Sequence, residues 1–389
     1  MKIESYLRYM AEKRASDLFL TTGAPPSIKI DGELIPVTTT PLERGVTARI
    51  ANELMDSEQR AEFTRQLEMN VGFSLEDVGR FRINIYRQRG EVSIVIRYIR
   101  LDIASPDELG LPPVIKSFAM EKKGLLLVVG ATGSGKSTTL ASLIDARNRA
   151  MAGHILTIED PIEFAFSHKK SIVSQREVGI DTLSYANALR EALREAPDVI
   201  MIGEIRDRES MEAALSLSDT GHLVLATLHA VNANQALDRI INMFPQEHHA
   251  KLLQDLSLNL RAIVSQRLIK GKHNGRVAAV EVLVNTPFVS ELIAAGKVSE
   301  LKGAMENDTS GGMQTFDQAL IDLFKNGLIG HEETLANADS PNNIKWQLNY
   351  GVDLTESSIQ PSLTSKFTSG GVDASAFDLK FNPSDSSTS

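Results

Sequence analysis

The chain of 389 residues contains no cysteine. Disulfides, thiolate metal sites and cysteine nucleophiles are therefore excluded, and the absence is typical of a cytoplasmic protein. No apolar run approaches the roughly 20 residues that span a bilayer, and Met1–Ser5 lack the apolar core of a signal peptide. We therefore expect no membrane insertion, and we expect any work at a membrane to depend on docking to other proteins.

The chain also lacks an excess of positive charge. It has 41 Lys and Arg against 50 Asp and Glu, a net charge of -9, and an isoelectric point of about 5.5. Proteins that hold nucleic acid by neutralising its phosphates usually present a basic surface. The charge balance therefore disfavours a nucleic-acid partner. The hydrophobic content of 42% is enough for packed cores, and the length favours two or three domains.

Composition and periodicity divide the chain into four regions. The first combines an amphipathic helix with alternating strands, which indicates a small α+β domain. A stiff linker rich in proline follows, and then strands and helices alternate, which predicts a mostly parallel sheet covered by helices. The last region is rich in Asn, Ser, Thr, Asp and Gly and is predicted to be a disordered tail. The predicted boundaries are 1–100, 101–113, 114–335 and 336–389.

Apolar patterns locate the elements within these regions. The predicted strands are 17–22, 27–30, 80–87, 91–99, 124–129, 154–158, 171–175, 199–202, 222–228 and 276–284. The predicted helices are 3–10, 49–67, 136–150, 182–195, 207–219, 233–243, 247–266, 287–306 and 315–326. The pair Asp31-Gly32 predicts a tight hairpin turn.

A glycine-rich segment follows the apolar strand 124–129 and opens a helix. It matches the pattern G-x-x-x-x-G-K-[ST], in which backbone N–H groups and the helix N-terminus hold phosphate. Lys136 is expected to reach the β- and γ-phosphates of a nucleoside triphosphate, and the hydroxyl of Ser137 to ligate Mg²⁺. The motif alone does not show which nucleotide is bound or that it is hydrolysed. The predicted nucleotide-binding residues are Gly130, Ala131, Thr132, Gly133, Ser134, Gly135, Lys136, Ser137 and Thr138.

Two further strands end in carboxylates. Glu159 and Glu163 follow the strand 154–158, and either carboxylate can orient or deprotonate the water that attacks a phosphate. Glu204 follows the strand 199–202 and is the predicted Walker B acid, which holds Mg²⁺ directly or through water. The alternative for the first pair is a solvated acidic loop. Asp207 is expected to cap the next helix rather than to take part in catalysis.

The strand 222–228 carries a histidine at each end. An imidazole can donate a hydrogen bond to the charge that develops on a phosphate. His222 and His229 are therefore predicted to sense the γ-phosphate, together with Thr227.

These motifs, in this order, resemble the secretion ATPase superfamily. The segments Ala15–Leu20 and Gly23–Pro26, together with Gly311–Leu320, are similar to its pilus retraction branch, the PilT/PilU family. The resemblance implies a RecA-like P-loop ATPase domain with a smaller α+β, PAS-like N-terminal domain. The assembly ATPases of the superfamily carry a longer N-terminal region and usually a four-cysteine zinc insert, which this chain does not have.

The resemblance also implies partners and further site residues. It implies a cytoplasmic homo-hexamer that is peripheral at the inner membrane and acts on an inner-membrane pilus platform protein. Arg82 and Arg97, on the two long N-terminal strands, look like arginines that contact nucleotide. Surface salt bridges are the alternative for these two side chains.

One departure from the retraction pattern concerns the segment A-I-R-N-L-I-R-E of PilT-like proteins. Here Ser290 and Ala294 replace its two arginines. This favours the accessory, PilU-like branch, which would assist a PilT-like retraction ATPase in twitching motility. A non-catalytic subunit that docks on a PilT-like hexamer and a DNA-handling RecA-like ATPase are the alternatives.

Overall fold

The computed structural model describes residues 3–30, 32–99, 101–273, 275–308 and 312–350. Asp31 of the predicted hairpin turn and Gly311 of the family segment lie outside these ranges. Residues 351–389, the larger part of the predicted tail, also lie outside them.

The N-terminal part of the chain forms a six-stranded antiparallel sheet with three helices. The strands follow the order β3-β2-β1-β6-β5-β4 across the sheet. The strands are β1 (Asp17–Thr21), β2 (Ser27–Ile30), β3 (Glu33–Pro36), β4 (Glu68–Leu75), β5 (Gly79–Gln88) and β6 (Glu91–Ile99), and the helices are α1 (Ile3–Glu12), α2 (Val46–Leu54) and α3 (Ser57–Gln66). This arrangement is the α+β architecture that the pattern predicts.

Alternation along β5 explains why this sheet has one covered and one open face. Phe81, Ile83 and Ile85 are fully buried, whereas Arg80 and Arg82 on the other face are partly exposed. The apolar face belongs to one core with the buried residues of α1, which recur at helical spacing. The polar face of β5 is therefore left available for contacts other than the core.

The predicted linker leads into a short helix that belongs to the next core. α4 (Pro113–Phe118) begins after Pro112 and has proline at its first position, where no backbone N–H is needed. Ile115 and Phe118 pack with Leu126 of the central sheet. The linker therefore ends on a fixed element.

The second sheet has seven strands in the order β13-β12-β7-β11-β10-β8-β9. All neighbouring pairs are parallel except β12 with β13. The strands are β7 (Gly124–Val129), β8 (Gly153–Glu159), β9 (Ser171–Glu177), β10 (Val199–Ile202), β11 (Leu223–Leu228), β12 (Leu260–Lys270) and β13 (Arg276–Val284). Every residue of β7, β10 and β11 is buried, as expected for strands covered on both faces.

Helices cover both faces of this sheet and complete the described chain. They are α5 (Lys136–Ala150), α6 (Tyr185–Ala192), α7 (Arg208–Asp219), α8 (Ala233–Asn242), α9 (His249–Asn259), α10 (Pro287–Ala294), α11 (Leu301–Glu306), α12 (Phe316–Lys325), α13 (His331–Ala336) and α14 (Pro341–Tyr350), with 3₁₀ turns at Leu193–Glu195, Gln246–His248 and Val298–Glu300. Within the described ranges, no helix is long and apolar enough to cross a membrane. α14 lies inside the span 336–389 that composition assigns to the tail.

Several elements differ from the expected ones. The predicted helix 247–266 is wrong beyond residue 259, because Leu260–Lys270 form β12 between β7 and β13. The apolar run there is compatible with either structure, and pairing on both sides decides for a strand. β3 and β4 are edge strands that the pattern did not reveal. The predicted helix 49–67 is two helices, separated where Asp56 and Gln59 form a capping box at the start of α3.

Candidate functional site

The glycine-rich loop joins β7 to α5 at the carboxyl edge of the second sheet. Gly135 has φ of 93°, in the left-handed region that favours glycine. Gly130 is closely approached, because a Cβ there would lie 2.3 Å from Ser134 Oγ and 2.6 Å from the Gln266 carbonyl oxygen. The loop therefore needs glycine at position 135 for its backbone conformation and at position 130 because no side chain fits there.

Lys136 is buried at the centre of the loop. Its Nζ atom donates hydrogen bonds to the carbonyl oxygens of Gly130, at 3.0 Å, and Ala131, at 2.9 Å. Burial lowers the pKa of Lys136, while the charges of Glu204 and Glu163 act in the opposite direction. The ammonium is thus held over the loop by carbonyls that an incoming phosphate can replace.

A cavity of about 200 Å³ opens above this loop. Its walls bring together the loop, the carboxyl ends of β8, β10 and β11, and the start of α6. The predicted site residues that line it are Thr132, Gly133, Lys136, Ser137, Glu159, Glu163, Glu204, Thr227 and His229. The other predicted residues belong to the loop itself or to the first turn of α5: Gly130, Ala131, Ser134, Gly135 and Thr138. Four separate motifs of the sequence therefore meet in one place.

The loop contains an orphaned polar atom. Among the residues that the structure describes, Ser134 Oγ is buried and has no hydrogen-bond partner. Buried hydroxyls are normally paired, with protein groups, water or a ligand. Together with the N-terminus of α5, which borders the cavity through Lys136 and Ser137, this unsatisfied group fits a loop shaped for a phosphate. Ser137 and Glu204 line the same cavity, so the oxygen ligands that Mg²⁺ prefers are also present.

The two carboxylates after β8 have different surroundings. Glu159 is buried and accepts hydrogen bonds from Thr157 Oγ1, at 2.7 Å, and Gln175 Nε2, at 3.1 Å. Burial raises the pKa of Glu159 to about 7. Glu163 is exposed and reaches the cavity from the following turn. Of the pair that the sequence left open, Glu163 is therefore the one that water can approach freely.

Glu204 lies between two cationic or hydrogen-bonding side chains. Its Oε1 atom is 3.1 Å from His229 Nε2, and its Oε2 atom accepts a hydrogen bond of 2.8 Å from Arg206 Nε. Arg206 also lies 3.5 Å from Asp160 of the acidic turn. The prediction for Asp207 is confirmed, because its carboxylate caps α7 by accepting from Ser210 N at 2.8 Å.

The structure separates the two histidines that the sequence grouped. His222 precedes β11 and contacts the carbonyl oxygen of Leu217 and the hydroxyl of Thr220. β11 has six residues, so His222 and His229 are about 20 Å apart along the strand. Of the two histidines, His229 lines the cavity of this chain and His222 lies at the other end of β11. A role for His222 in sensing the γ-phosphate stays a prediction.

Arg82 and Arg97 line a second and larger cleft, of about 890 Å³, beside the first. Glu163 and Phe164 belong to the walls of both spaces. Arg82 Nε lies 3.9 Å from Glu177 Oε1, and Arg97 Nε lies 2.8 Å from Asp17 Oδ1. Both arginines thus form ion pairs, which was the alternative to nucleotide contact. They also face the cleft that contains Glu163.

Several residues of the site carry no motif. Tyr185 lines the first cavity, and its hydroxyl would lie 2.9 Å from a Cβ at position 203. Burial raises the pKa of Tyr185, so its hydroxyl stays protonated. Gln266 accepts a hydrogen bond of 2.8 Å from Thr139 behind the phosphate loop. No spacing in the sequence points to Tyr185. Gln266 was not expected near the loop, because residues 260–266 were predicted to be helical.

The comparisons with known proteins agree with this geometry. Residues 2–310 match the family model "Type II/IV secretion system protein". The chain is 50% identical to the type IV pilus ATPase PilU of Pseudomonas aeruginosa over 354 residues, 90% of this chain and 92% of that protein. It is 42% identical to the type IV pilus retraction ATPase PilT of the same organism, over 88% and 100% of the two chains.

A crystal structure of the pilus retraction motor PilT with bound ADP superposes with a TM-score of 0.82 and 42% identity, covering 89% of this chain and 99% of that chain. The predicted fold class, a RecA-like P-loop ATPase domain with a smaller N-terminal α+β domain, is confirmed.

Proposed function

The chain belongs to the type II/IV secretion system protein family and, within it, to the pilus retraction ATPases of the PilT/PilU type, and from this premise we propose that it is an ATP-hydrolysing motor subunit that assists type IV pilus retraction in twitching motility. The observation that carries the proposal is the meeting of Lys136, Glu163, Glu204 and His229 at one cavity. Each of these side chains has a separate task in phosphoryl transfer to water.

The phosphate loop is the proposed ATP site. Backbone N–H groups of residues 130–138 hold the phosphates, and Lys136 exchanges its carbonyl partners for phosphate oxygens. The hydroxyl of Ser137, with Glu204 directly or through water, would hold Mg²⁺. The ion would neutralise charge on the phosphate oxygens.

Glu163 is the proposed general base, because it is the exposed carboxylate of the acidic turn. His229 and Arg206 hold the Glu204 carboxylate from both sides and fix its orientation. Arg82 and Arg97 approach from the N-terminal sheet and stabilise negative charge as it develops. Movement of that sheet about the linker 101–113 would couple hydrolysis to force.

The proposed assembly is a homo-hexamer in the cytoplasm, peripheral at the inner membrane. Its proposed partners are a PilT-like retraction ATPase and an inner-membrane pilus platform protein. No nucleic-acid partner is proposed, because the net charge is -9.

Complementation in cells tests this role. In a strain that lacks this chain and retains its PilT-like relative, the wild-type chain should restore twitching under load, and Lys136→Ala should not. Lys116→Ala is a matched control, because Lys116 is a surface lysine paired with Asp107 and does not line the cavity. Full rescue by Lys136→Ala would contradict a motor role.

A non-catalytic accessory subunit is the second candidate. It is favoured by α10, where Ser290 donates a hydrogen bond of 2.8 Å to the Ser257 carbonyl oxygen in place of an arginine. The complete set of Glu163, Glu204 and His229 argues against it. Co-purification with a PilT-like hexamer, combined with an absence of ATP turnover by the chain alone, would favour this second candidate.

A further inference from the structure

Glu177 is a buried carboxylate that has no place in the mechanism above. It is the last residue of β9 and pairs in register with Glu159, the last residue of β8. Its side chain is 4% exposed, and burial raises its pKa. Burying a carboxylate is costly unless specific partners compensate it, so its contacts indicate why it is there.

Those contacts lie on two different parts of the molecule. On one side, the backbone N–H of Ile162 donates to Glu177 Oε2 at 3.4 Å. Ile162 immediately precedes Glu163, the proposed general base. On the other side, Arg82 Nε of the N-terminal sheet lies 3.9 Å from Glu177 Oε1. One carboxylate therefore touches both the acidic turn and an arginine that faces the same cleft.

The N-terminal sheet places Arg82 where it needs such a partner. Arg82 on β5 lies directly opposite Arg97 on β6, and like charges in that position repel. Arg97 is compensated by Asp17, its register partner on β1. Arg82 lies opposite Gly72 on its other side, which offers no charge. Glu177 supplies the compensation from the second sheet.

The turn that follows Glu177 fits the same surface. Asp181 accepts a hydrogen bond from the Glu177 backbone N–H at 2.9 Å and lies 3.7 Å from Arg80. At Gly72, an added Cβ would lie 3.3 Å from Arg80 Nη2 and 3.8 Å from Ile180 Cδ1. The absence of a side chain at position 72 therefore leaves room for Arg80 and Ile180 to meet there.

We propose that Glu177 is a positioning residue for ATP hydrolysis, which holds Arg82 and the turn before Glu163 in one arrangement and so makes the catalytic base depend on the N-terminal sheet. This rests on the proposed function, because Arg82 and Glu163 have their roles only if the chain hydrolyses ATP. Glu177 itself touches no reacting atom in this account.

Steady-state ATP turnover by the full chain tests the proposal. Glu177→Gln preserves the shape and removes the charge, so kcat should fall roughly tenfold, within the range of coupled neighbours, while KM for ATP changes less than twofold. Glu195→Gln is the matched control. It breaks the ion pair of the adjacent strand residue Arg176 at the same sheet edge, away from the cleft, and should leave kcat within twofold of the wild-type value.

A double-mutant cycle separates positioning from general damage. In an Arg82→Gln background, Glu177→Gln should lower kcat by less than about twofold further, because the link is already broken. Independent losses that multiply would overturn the proposal, as would a rise in kcat for Glu177→Gln, which would make the contact an inhibitory one.

Amide hydrogen exchange without nucleotide provides a readout that needs no turnover. Arg82→Gln should raise exchange in peptides that cover 160–164 and 177–182, because Glu177 loses its compensating charge. Arg87→Gln is the control on the same strand, since the exposed Arg87 guanidinium donates to the Gly90 carbonyl oxygen and lies over the Phe63 ring rather than against Glu177. Unchanged exchange in Arg82→Gln would overturn the link between Arg82 and the turn. If the wild-type chain shows no ATP turnover but Arg82→Gln alters the exchange, only the proposed function is overturned.

Discussion

His229 Nε2 lies 3.1 Å from Glu204 Oε1, which joins the end of β11 to the end of β10. An ionised carboxylate can only accept hydrogen bonds, so the imidazole donates through Nε2. Arg206 holds the second oxygen of the same carboxylate at 2.8 Å. Glu204 is thus held from both sides, and such preorganisation favours phosphoryl transfer.

Removing the imidazole should therefore affect the chemical step more than binding. We expect His229→Ala to lower kcat by about a hundredfold, the usual cost of losing one preorganised donor, with KM for ATP within about threefold. His229→Gln keeps an N–H donor and should recover part of the rate. The measurement is steady-state ATP turnover with both variants.

The equivalent change at the other end of β11 distinguishes the two histidines. His222 contacts Leu217 and Thr220 at the opposite edge of the sheet. We expect His222→Ala to cost far less than His229→Ala in kcat. Equal losses in the two variants would contradict the separation of their roles.

Gly203 tests how closely the site is packed. A Cβ there would lie 2.9 Å from the Tyr185 hydroxyl and 3.2 Å from the Ile158 carbonyl oxygen. We expect Gly203→Ala to lower the free energy of unfolding by about 1–3 kcal/mol, as overpacking does, and to lower turnover by displacing Glu204. Gly303→Ala is the control: Gly303 lies in α11 with no heavy atom within 4 Å of the added Cβ, so it should be neutral or stabilising by about 0.4–1 kcal/mol. Urea unfolding of both variants checks this.

The buried carboxyl of Glu159 predicts a pH dependence of stability. Burial raises its folded-state pKa to about 7 from an ordinary value of 4.5. Between these values the folded protein binds more protons than the unfolded chain, so stability falls as pH rises from about 4.5 to about 7. The free energy of unfolding should therefore fall by about 3 kcal/mol over this range.

Glu159→Gln mimics the protonated form and should remove this dependence. Relative to the wild type, the variant should gain free energy of unfolding as pH rises from 5 to 7.5, and the gain should level off above that range. Urea unfolding at several pH values measures it, and the contributions of other groups cancel in the difference. A constant difference across the range would contradict a raised pKa at Glu159.

Much of the site was predictable because its residues follow strand ends. The carboxyl ends of parallel strands meet at one edge, so the phosphate loop after β7, Glu163 after β8 and Glu204 after β10 converge. His222 lies at the other edge, because it precedes its strand. The sequence pattern gave both histidines one role, and the strand direction separates them.

The remainder depended on contacts that have no local signature. Gln266 lies behind the loop only because Leu260–Lys270 pair with β7, and an apolar run of that length is ambiguous between helix and strand. Glu177 ends the edge strand β9, and Tyr185 begins α6. Their positions follow from tertiary packing, so no spacing along the chain could have indicated them.

The central claim is that this pocket hydrolyses ATP, and the most direct measurement is Mg²⁺-dependent ATP turnover by the purified full chain. We predict measurable turnover for the wild type, a loss of at least about a hundredfold for Lys136→Ala, and no change for the surface control Lys116→Ala. Turnover in Lys136→Ala equal to that of the wild type, or a wild type that binds ATP without turning it over, would contradict the account.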